Sequence, residues 1–195
     1  MAPTLVLTYF DMGGAAEAIR WALEKGDLEW TDRRLAREEF AALKPSLPNG
    51  QVPVLTVDGF DLAQSMAILR YVGRLGGLYP TDILTAAKCD AIMDCAVDFG
   101  TILRASFYEK DEAKKMEMRV DLAANSIPMW LSNMEKQLSS TDGAFFLNTV
   151  RAFSFSFCSF PSWSLHFPVA LMWHHIVTRS LLLRWWTSED ASLRP

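Results

Sequence analysis

Three groups of side chains that could do chemistry stand at the ends of predicted elements. Tyr9 closes an apolar run, where its hydroxyl either donates a hydrogen bond to a ligand or belongs to a ring packed in the core. Gln64 and Ser65 open a helical pattern, and free N–H groups with a hydroxyl there suit an anion, although a plain N-cap serine gives the same pattern. Val52-Pro53 opens a strand, as either a cis or an ordinary proline.

The cysteines and histidines favour neither a disulfide framework nor a metal site. The three cysteines form no CxxC pair, which indicates a reducing compartment and a cytoplasmic protein. Cys89 and Cys95 share one predicted helix and are interpreted as small core or surface residues. All three histidines fall beyond residue 148, without an acidic or cysteine partner at the usual spacing, so no metal ligand is predicted.

Composition describes a globular, acidic protein with an unusual final segment. The chain has 195 residues, 50% of them hydrophobic, and a net charge of −4, which disfavours nucleic acid as a partner. The N-terminus lacks a basic region and a long apolar run, so we expect no signal peptide. After residue 148 the chain becomes basic and rich in serine and tryptophan. Its uncharged stretch 152–178 holds prolines and histidines, which disfavour a membrane-spanning helix.

The elements that must position these residues follow from hydrophobic periodicity and from glycine and proline stops. The first 75 residues predict the order β-α-β-α-β-β-α, with strands at 5–9, 29–35, 52–57 and 60–62 and helices at 15–25, 37–43 and 64–75. Asp58-Gly59 predicts a tight hairpin turn between the last two strands. Two long helices are predicted next, over 83–108 and 112–138, the second kinked at Pro128.

Four spaced blocks of sequence carry a family resemblance. They are Leu7 to Arg20 (LTYFDMGGAAEAIR), Leu47 to Leu55 (LPNGQVPVL), Asp58-Gly59, and Gln64 to Tyr71 (QSMAILRY), followed by Asp90 to Asp94 and Asp98-Phe99. In this order they resemble the sigma class of glutathione transferases, which includes haematopoietic prostaglandin D synthase and the lens S-crystallins. The resemblance covers about residues 4–147.

The resemblance implies an α/β thioredoxin-like N-terminal domain followed by an all-α domain. We therefore expect a glutathione-binding domain over 1–78, a partial helical domain over 82–147 and an atypical tail over 148–195. Phenylalanines alternate with serines near the start of that tail, a strand pattern where the family has a helix. We interpret the tail as the product of a frame change or a retained intron.

The resemblance also implies the roles of individual residues. The matching tyrosine of the family donates a hydrogen bond to the glutathione sulfur, so Tyr9 is the predicted catalytic residue. The cis peptide Val52-Pro53 would pair with the tripeptide backbone, while Gln64 and Ser65 would hold the γ-glutamyl carboxylate. The remaining predicted glutathione contacts are Phe40, Lys44, Gln51 and, from across a homodimer, Asp98. Lys44 as a surface lysine and Asp98 as a solvent-facing carboxylate are the alternatives.

Three departures from the family pattern qualify this expectation. Gly13 and Ala15 stand where the family has arginines, and the second of those normally raises the positive potential near the tyrosine hydroxyl. Ala15 cannot do so, which predicts a weaker bias toward the thiolate and lower activity. Phe40 replaces a frequent tryptophan and loses its indole donor. Val97 replaces an acidic residue, so a metal effect at that position is not predicted.

Taken together, these features predict a glutathione transferase that conjugates the glutathione thiolate to small electrophiles, as in detoxification. Glutathione is the co-substrate and no cofactor is expected. We expect a homodimer with no nucleic-acid partner and no membrane association. The alternatives are a weak or inactive S-crystallin-like binding or structural protein, a prostaglandin isomerase, and a truncated product that folds poorly.

Overall fold

A computed structural model of the chain describes residues 2–141. These residues form two compact units, the first ending at residue 102 and the second beginning at residue 103. The predicted domain limits at 78, 82 and 147 stay predictions. The predictions made for the tail, including its histidines, its strand pattern and Cys158, lie outside the described residues.

A mixed four-stranded sheet forms the centre of the first unit, and its order is β2-β1-β3-β4. The strands are β1 (Leu5–Phe10), β2 (Thr31–Leu35), β3 (Val54–Val57) and β4 (Phe60–Ala63). β1 pairs in parallel with β2 and antiparallel with β3, and β3 pairs antiparallel with β4. The predicted strands are confirmed, with ends shifted by one or two residues.

Strand composition follows position in the sheet. β1 lies between two neighbours and reads as a nearly continuous apolar run, with Leu7 fully buried. β2 lies at the edge and carries Asp32, Arg33 and Arg34, charges that protect an edge from pairing with another chain. Asp58 and Gly59 both have positive φ (48° and 86°), as the predicted two-residue hairpin turn requires.

The helices of the first unit are α1 (Glu17–Lys25), α2 (Arg37–Leu43), α3 (Ser65–Leu75) and the start of α4 (Ile83–Tyr108). A single 3-10 turn, Gly14–Ala16, precedes α1. α1 and α3 contact each other, and their apolar faces join β1 and β3 in one core around Leu23, Leu55, Ile68 and Val72. Burying each of these side chains contributes about 1.5–3 kcal/mol. Helical spacing in the sequence predicted both helices.

The helical run predicted over 112–138 is present but is not one regular α-helix. It consists of α5 (Glu112–Asp121), a π-helical turn (Leu122–Ser126) and α6 (Ile127–Ser139). Pro128 has no N–H group to donate to the carbonyl one turn earlier, and its ring crowds that turn. The distortion predicted from Pro128 therefore takes the form of a widened turn immediately before it.

Candidate functional site

Strand register brings three predicted site residues to one end of the sheet. Thr8 pairs with Val54, and Val54 pairs with Ala63. Because β3 runs antiparallel to both β1 and β4, the end of β1, the start of β3 and the end of β4 meet at the same edge. Tyr9, Pro53 and Gln64 each lie one residue from this row, although they are far apart in the sequence.

Tyr9 lies at this end with its ring buried and its hydroxyl held by the backbone. The Ala15 N–H donates to the Tyr9 Oη at 3.2 Å. A Cβ atom added to Gly14 would lie 2.6 Å from that oxygen, so the loop approaches the phenol closely. No acceptor for the hydroxyl proton is present among residues 2–141. The oxygen therefore receives one hydrogen bond and keeps its proton available to a ligand, a combination that strengthens the donor.

The peptide bond Val52–Pro53 is cis, so this prediction is confirmed. Pro53 is buried directly before β3, whereas Gln51 is exposed. The predicted contacts of Gln51, Val52 and Pro53 with glutathione stay predictions.

The start of α3 is suited to an anion. Gln64, not Ser65, is the N-cap residue, and Ser65 is the first helical residue, so the plain N-cap interpretation of Ser65 is wrong. The side chain of Gln64 makes no capping hydrogen bond to the first N–H groups of this eleven-residue helix. Gln64 has φ 73°, a left-handed conformation that costs a residue with a Cβ about 1–2 kcal/mol. This backbone conformation turns the chain sharply from β4 into the helix.

An aromatic chain connects the phenol to α2. The rings of Tyr9 and Phe10 meet edge to face with centroids 5.5 Å apart, and those of Phe10 and Phe40 do so at 5.0 Å. Each such pair contributes about 0.5–1.5 kcal/mol beyond its buried area. Phe40 therefore contacts the ring of Phe10, the neighbour of Tyr9 in the chain, and its predicted contact with glutathione stays a prediction.

The two charged residues of the predicted site, Lys44 and Asp98, are both exposed to solvent. Lys44 is exposed, and its side chain lies beside Gly50. Asp98 is exposed on α4, and strand register does not bring it to the sheet end. The surface alternatives for both residues stay open.

Arg20 is a residue of this region to which the sequence analysis gave no role. Its guanidinium lies 6.0 Å from the centroid of the Tyr9 ring, and its side chain is only 8% exposed. It follows Ile19 and precedes Leu23 by three residues, so it lies on the buried stripe of α1. A charge at a core position of an amphipathic helix is a signal that could have identified it.

Ion pairs also fix the start of α4 against α3. The Arg70 Nε donates to the Asp90 Oδ1 at 2.7 Å, and its Nη2 donates to the Asp94 Oδ1 at 3.0 Å. Burial alone would raise the pKa of Asp90, but hydrogen bonds from Arg70 and Tyr79 lower it overall. Burial and the hydrogen bond to Asp90 raise the pKa of Tyr79. The Arg74 guanidinium lies over the Tyr79 ring, 4.4 Å from its centroid.

Within residues 2–141, no three potential metal-ligating side chains form a group, and no helix has both the length and the apolar character needed to span a bilayer.

Comparison with known proteins agrees with this arrangement. A family model described as "Glutathione S-transferase, N-terminal domain" matches residues 5–74. The chain is 34% identical over 141 residues to "Glutathione S-transferase" of Anopheles gambiae, covering 72% of this chain and 70% of that protein. It is 34% identical over 137 residues to "Glutathione S-transferase S1" of Drosophila melanogaster, covering 70% of this chain and only 55% of that protein.

The solved structures agree as well. The structure of "prostaglandin synthase D" of Nilaparvata lugens superposes with a TM-score of 0.79 at 30% identity, covering 93% of this chain and 89% of that one. The mixed sheet and the helices after it thus have the fold of a thioredoxin-like domain followed by a helical domain, as predicted. The chain belongs to the glutathione S-transferase family.

Proposed function

We propose that this chain is a glutathione transferase that uses Tyr9 to stabilise the glutathione thiolate. The observation that carries the proposal is the Tyr9 hydroxyl, which accepts the Ala15 N–H at 3.2 Å. It lies at the same end of the sheet as the cis proline and the start of α3, where Gln64 makes no side-chain capping bond. A hydrogen-bond donor next to the sulfur favours the thiolate over the thiol, which in free cysteine has a pKa of about 8.5.

The remaining site residues would bind the rest of the tripeptide. The γ-glutamyl carboxylate would lie at the start of α3, where the N–H groups and the Ser65 hydroxyl supply donors. Val52 would pair with the peptide backbone of glutathione, next to Gln51 and Gln64. Phe40 and Lys44 would contact the glycyl end, the first through its ring and the second through its charge.

The reaction is nucleophilic attack by sulfur on an electrophilic carbon. The thiol proton passes to solvent, a carbon–sulfur bond forms, and the leaving group departs with the electron pair of the bond that breaks. In an addition reaction no group leaves, and a proton from water completes the product. Tyr9 retains its own proton and stabilises the negative charge on sulfur before the attack.

The same proposal includes a homodimer and a cytoplasmic location. In the dimer, Asp98 would contact the glutathione amino group bound by the partner subunit, so that each site needs both chains. Within residues 2–141, Cys89 forms no disulfide bond, which suits a reducing compartment.

A second candidate function is a weak or inactive binding protein. It is favoured by Ala15, whose exposed methyl group supplies no positive charge beside the Tyr9 oxygen.

Tyr9→Phe tests the proposal, with Tyr71→Phe as the matched control on a half-buried tyrosine. Full-length protein is assayed for retention on immobilised glutathione, for a rise in thermal midpoint with glutathione, and for conjugation of chlorodinitrobenzene. We expect Tyr9→Phe to bind glutathione but to lose about tenfold to hundredfold in kcat, as removal of a hydrogen bond to a charged group predicts. Binding without turnover in the unchanged chain would support the second candidate, and no binding at all would refute both.

A further inference from the structure

Arg20 holds a buried position behind the Tyr9 loop. Its side chain is 8% exposed, and its guanidinium lies over the Tyr9 ring, 6.0 Å from the ring centroid. A charge in such a position must be paired and hydrogen-bonded, because its desolvation is otherwise costly. Its partners therefore show what the residue stabilises.

Two of these partners are backbone carbonyls in the segment between Tyr9 and α1. The Arg20 Nη1 donates to the Met12 carbonyl at 2.8 Å, and its Nη2 donates to the Phe10 carbonyl at 3.4 Å. The Met12 N–H also donates to the Phe10 carbonyl, at 2.7 Å, which closes a tight turn at Asp11. One guanidinium thus joins both sides of this turn.

Carboxylates balance the charge and fix its orientation. The Arg20 Nε lies 3.2 Å from the Asp32 Oδ2, and its Nη1 lies 3.1 Å from the Glu17 Oε2. Asp32 also accepts from Arg34 at 2.8 Å, and Arg34 in turn binds Asp11 of the same turn at 2.5 Å. The turn is therefore attached to β2 and α1 through one ion-pair network.

The position of this turn decides where the next residues lie. Gly14 and Ala15 follow Met12 closely, and the Ala15 N–H is the group that holds the Tyr9 Oη. A shift in the turn therefore alters the direction of the phenol, and a misplacement of about 1 Å near a reacting atom costs about 100-fold in rate.

We infer that Arg20 is a positioning residue for Tyr9: it holds the turn at residues 10–12 by its carbonyls, and through that turn it aims the catalytic hydroxyl at the glutathione sulfur. The inference rests on the proposed function for its catalytic consequence. It does not place Arg20 in contact with glutathione: four of its five N–H donors bind Phe10, Met12, Glu17 and Asp32 of its own chain.

The test compares two arginine-to-lysine variants. Arg20→Lys keeps the positive charge but loses the forked guanidinium. Arg33→Lys is the control, at an exposed residue of β2, the strand that contains Asp32. We expect Arg20→Lys to lower kcat about tenfold to hundredfold and to raise the apparent pKa of the bound thiol, read from thiolate absorbance. Its KM for glutathione should stay within about twofold, since the binding groups of α3 are untouched. Arg33→Lys should match the unchanged chain in all three measurements.

Amide hydrogen exchange without glutathione keeps the inference separate from the proposed function. We expect the Ala15 amide to exchange faster in Arg20→Lys than in Arg33→Lys, even if the unchanged chain proves inactive. Unchanged exchange at Ala15 would overturn the inference, as would an unchanged kcat and thiol pKa in an active protein. An Arg20→Lys chain that fails to fold would also overturn it, because the residue would then support the whole domain and not the turn.

Discussion

Gly14→Ala tests the close approach between the loop and the Tyr9 hydroxyl. Gly14 has φ +50°, and a Cβ added there would lie 2.6 Å from the Tyr9 Oη and 3.1 Å from its Cε1. The oxygen belongs to a buried ring packed against Phe10, not to the free end of a flexible side chain. The alanine methyl group can therefore be accommodated only if the phenol or the loop moves.

The expected loss has two parts. Left-handed backbone costs alanine about 1–2 kcal/mol, and overpacking against a buried ring costs about 1–3 kcal/mol. The free energy of unfolding should therefore fall by about 2–5 kcal/mol relative to a glycine substitution that meets neither problem. To reach ordinary contact, the oxygen must move by about 1 Å, which predicts a loss of about 100-fold in kcat.

Two other glycines provide matched controls. Gly13→Ala has ordinary φ, and its Cβ would meet only Glu17 atoms at 3.6–3.8 Å. Gly59→Ala has φ +86° with nothing within 4 Å of the added Cβ, so it measures backbone strain alone. Urea denaturation gives the stability of each variant, and conjugation of chlorodinitrobenzene gives kcat and KM.

The expected order of stability is Gly13→Ala, then Gly59→Ala, then Gly14→Ala. Activity should fall only in Gly14→Ala. If Gly14→Ala is as stable as Gly59→Ala and turns over like Gly13→Ala, the loop does not press on the phenol, and the described geometry of the site is wrong.

Three further predictions concern charge, packing and pH. Ala15→Arg should lower the apparent pKa of the bound thiol and raise kcat/KM at low pH, since it restores positive charge near Tyr9; a pH profile equal to that of Ala15→Gln would contradict this. Gly76→Ala should lower the free energy of unfolding by about 1–3 kcal/mol, because its Cβ would lie 2.7 Å from the backbone of Gly26. If the variant and the unchanged chain have equal urea midpoints, the ends of α1 and α3 move apart without measurable cost, which contradicts the prediction. Asp90→Asn should cost about 1 kcal/mol at neutral pH, where the depressed pKa of Asp90 keeps it ionised and paired. That difference should shrink as the pH falls below 3.8, the ordinary value, because the carboxylate loses its charge, and a pH-independent difference in denaturation midpoint would count against it.

Local patterns predicted most of the first unit correctly. The Asp58-Gly59 dipeptide predicted its hairpin, and apolar spacing predicted α1 and α3, because turn chemistry and helical periodicity depend on residues close in sequence. The predicted cis bond at Pro53 came from the family resemblance and is confirmed.

Other features could not be read from local patterns. The left-handed conformation of Gln64 is imposed by the passage from β4 into α3, and nothing in the residue type favours it. The burial of Arg20 depends on carbonyls of one loop and on a carboxylate of a separate strand. The π-helical turn before Pro128 replaced a simple kink, since a proline specifies lost hydrogen bonding but not how the helix adapts.

The sequence by itself determined the order of elements, the buried faces and the residues that match the family, because each is encoded within a few neighbouring positions. Only the tertiary structure decided that Tyr9, Pro53 and Gln64 share one end of the sheet and that the Ala15 N–H and the Arg20 guanidinium lie next to the phenol. Those relations arise from strand pairing and buried hydrogen bonds between distant segments, whose geometry is fixed only when the whole core closes.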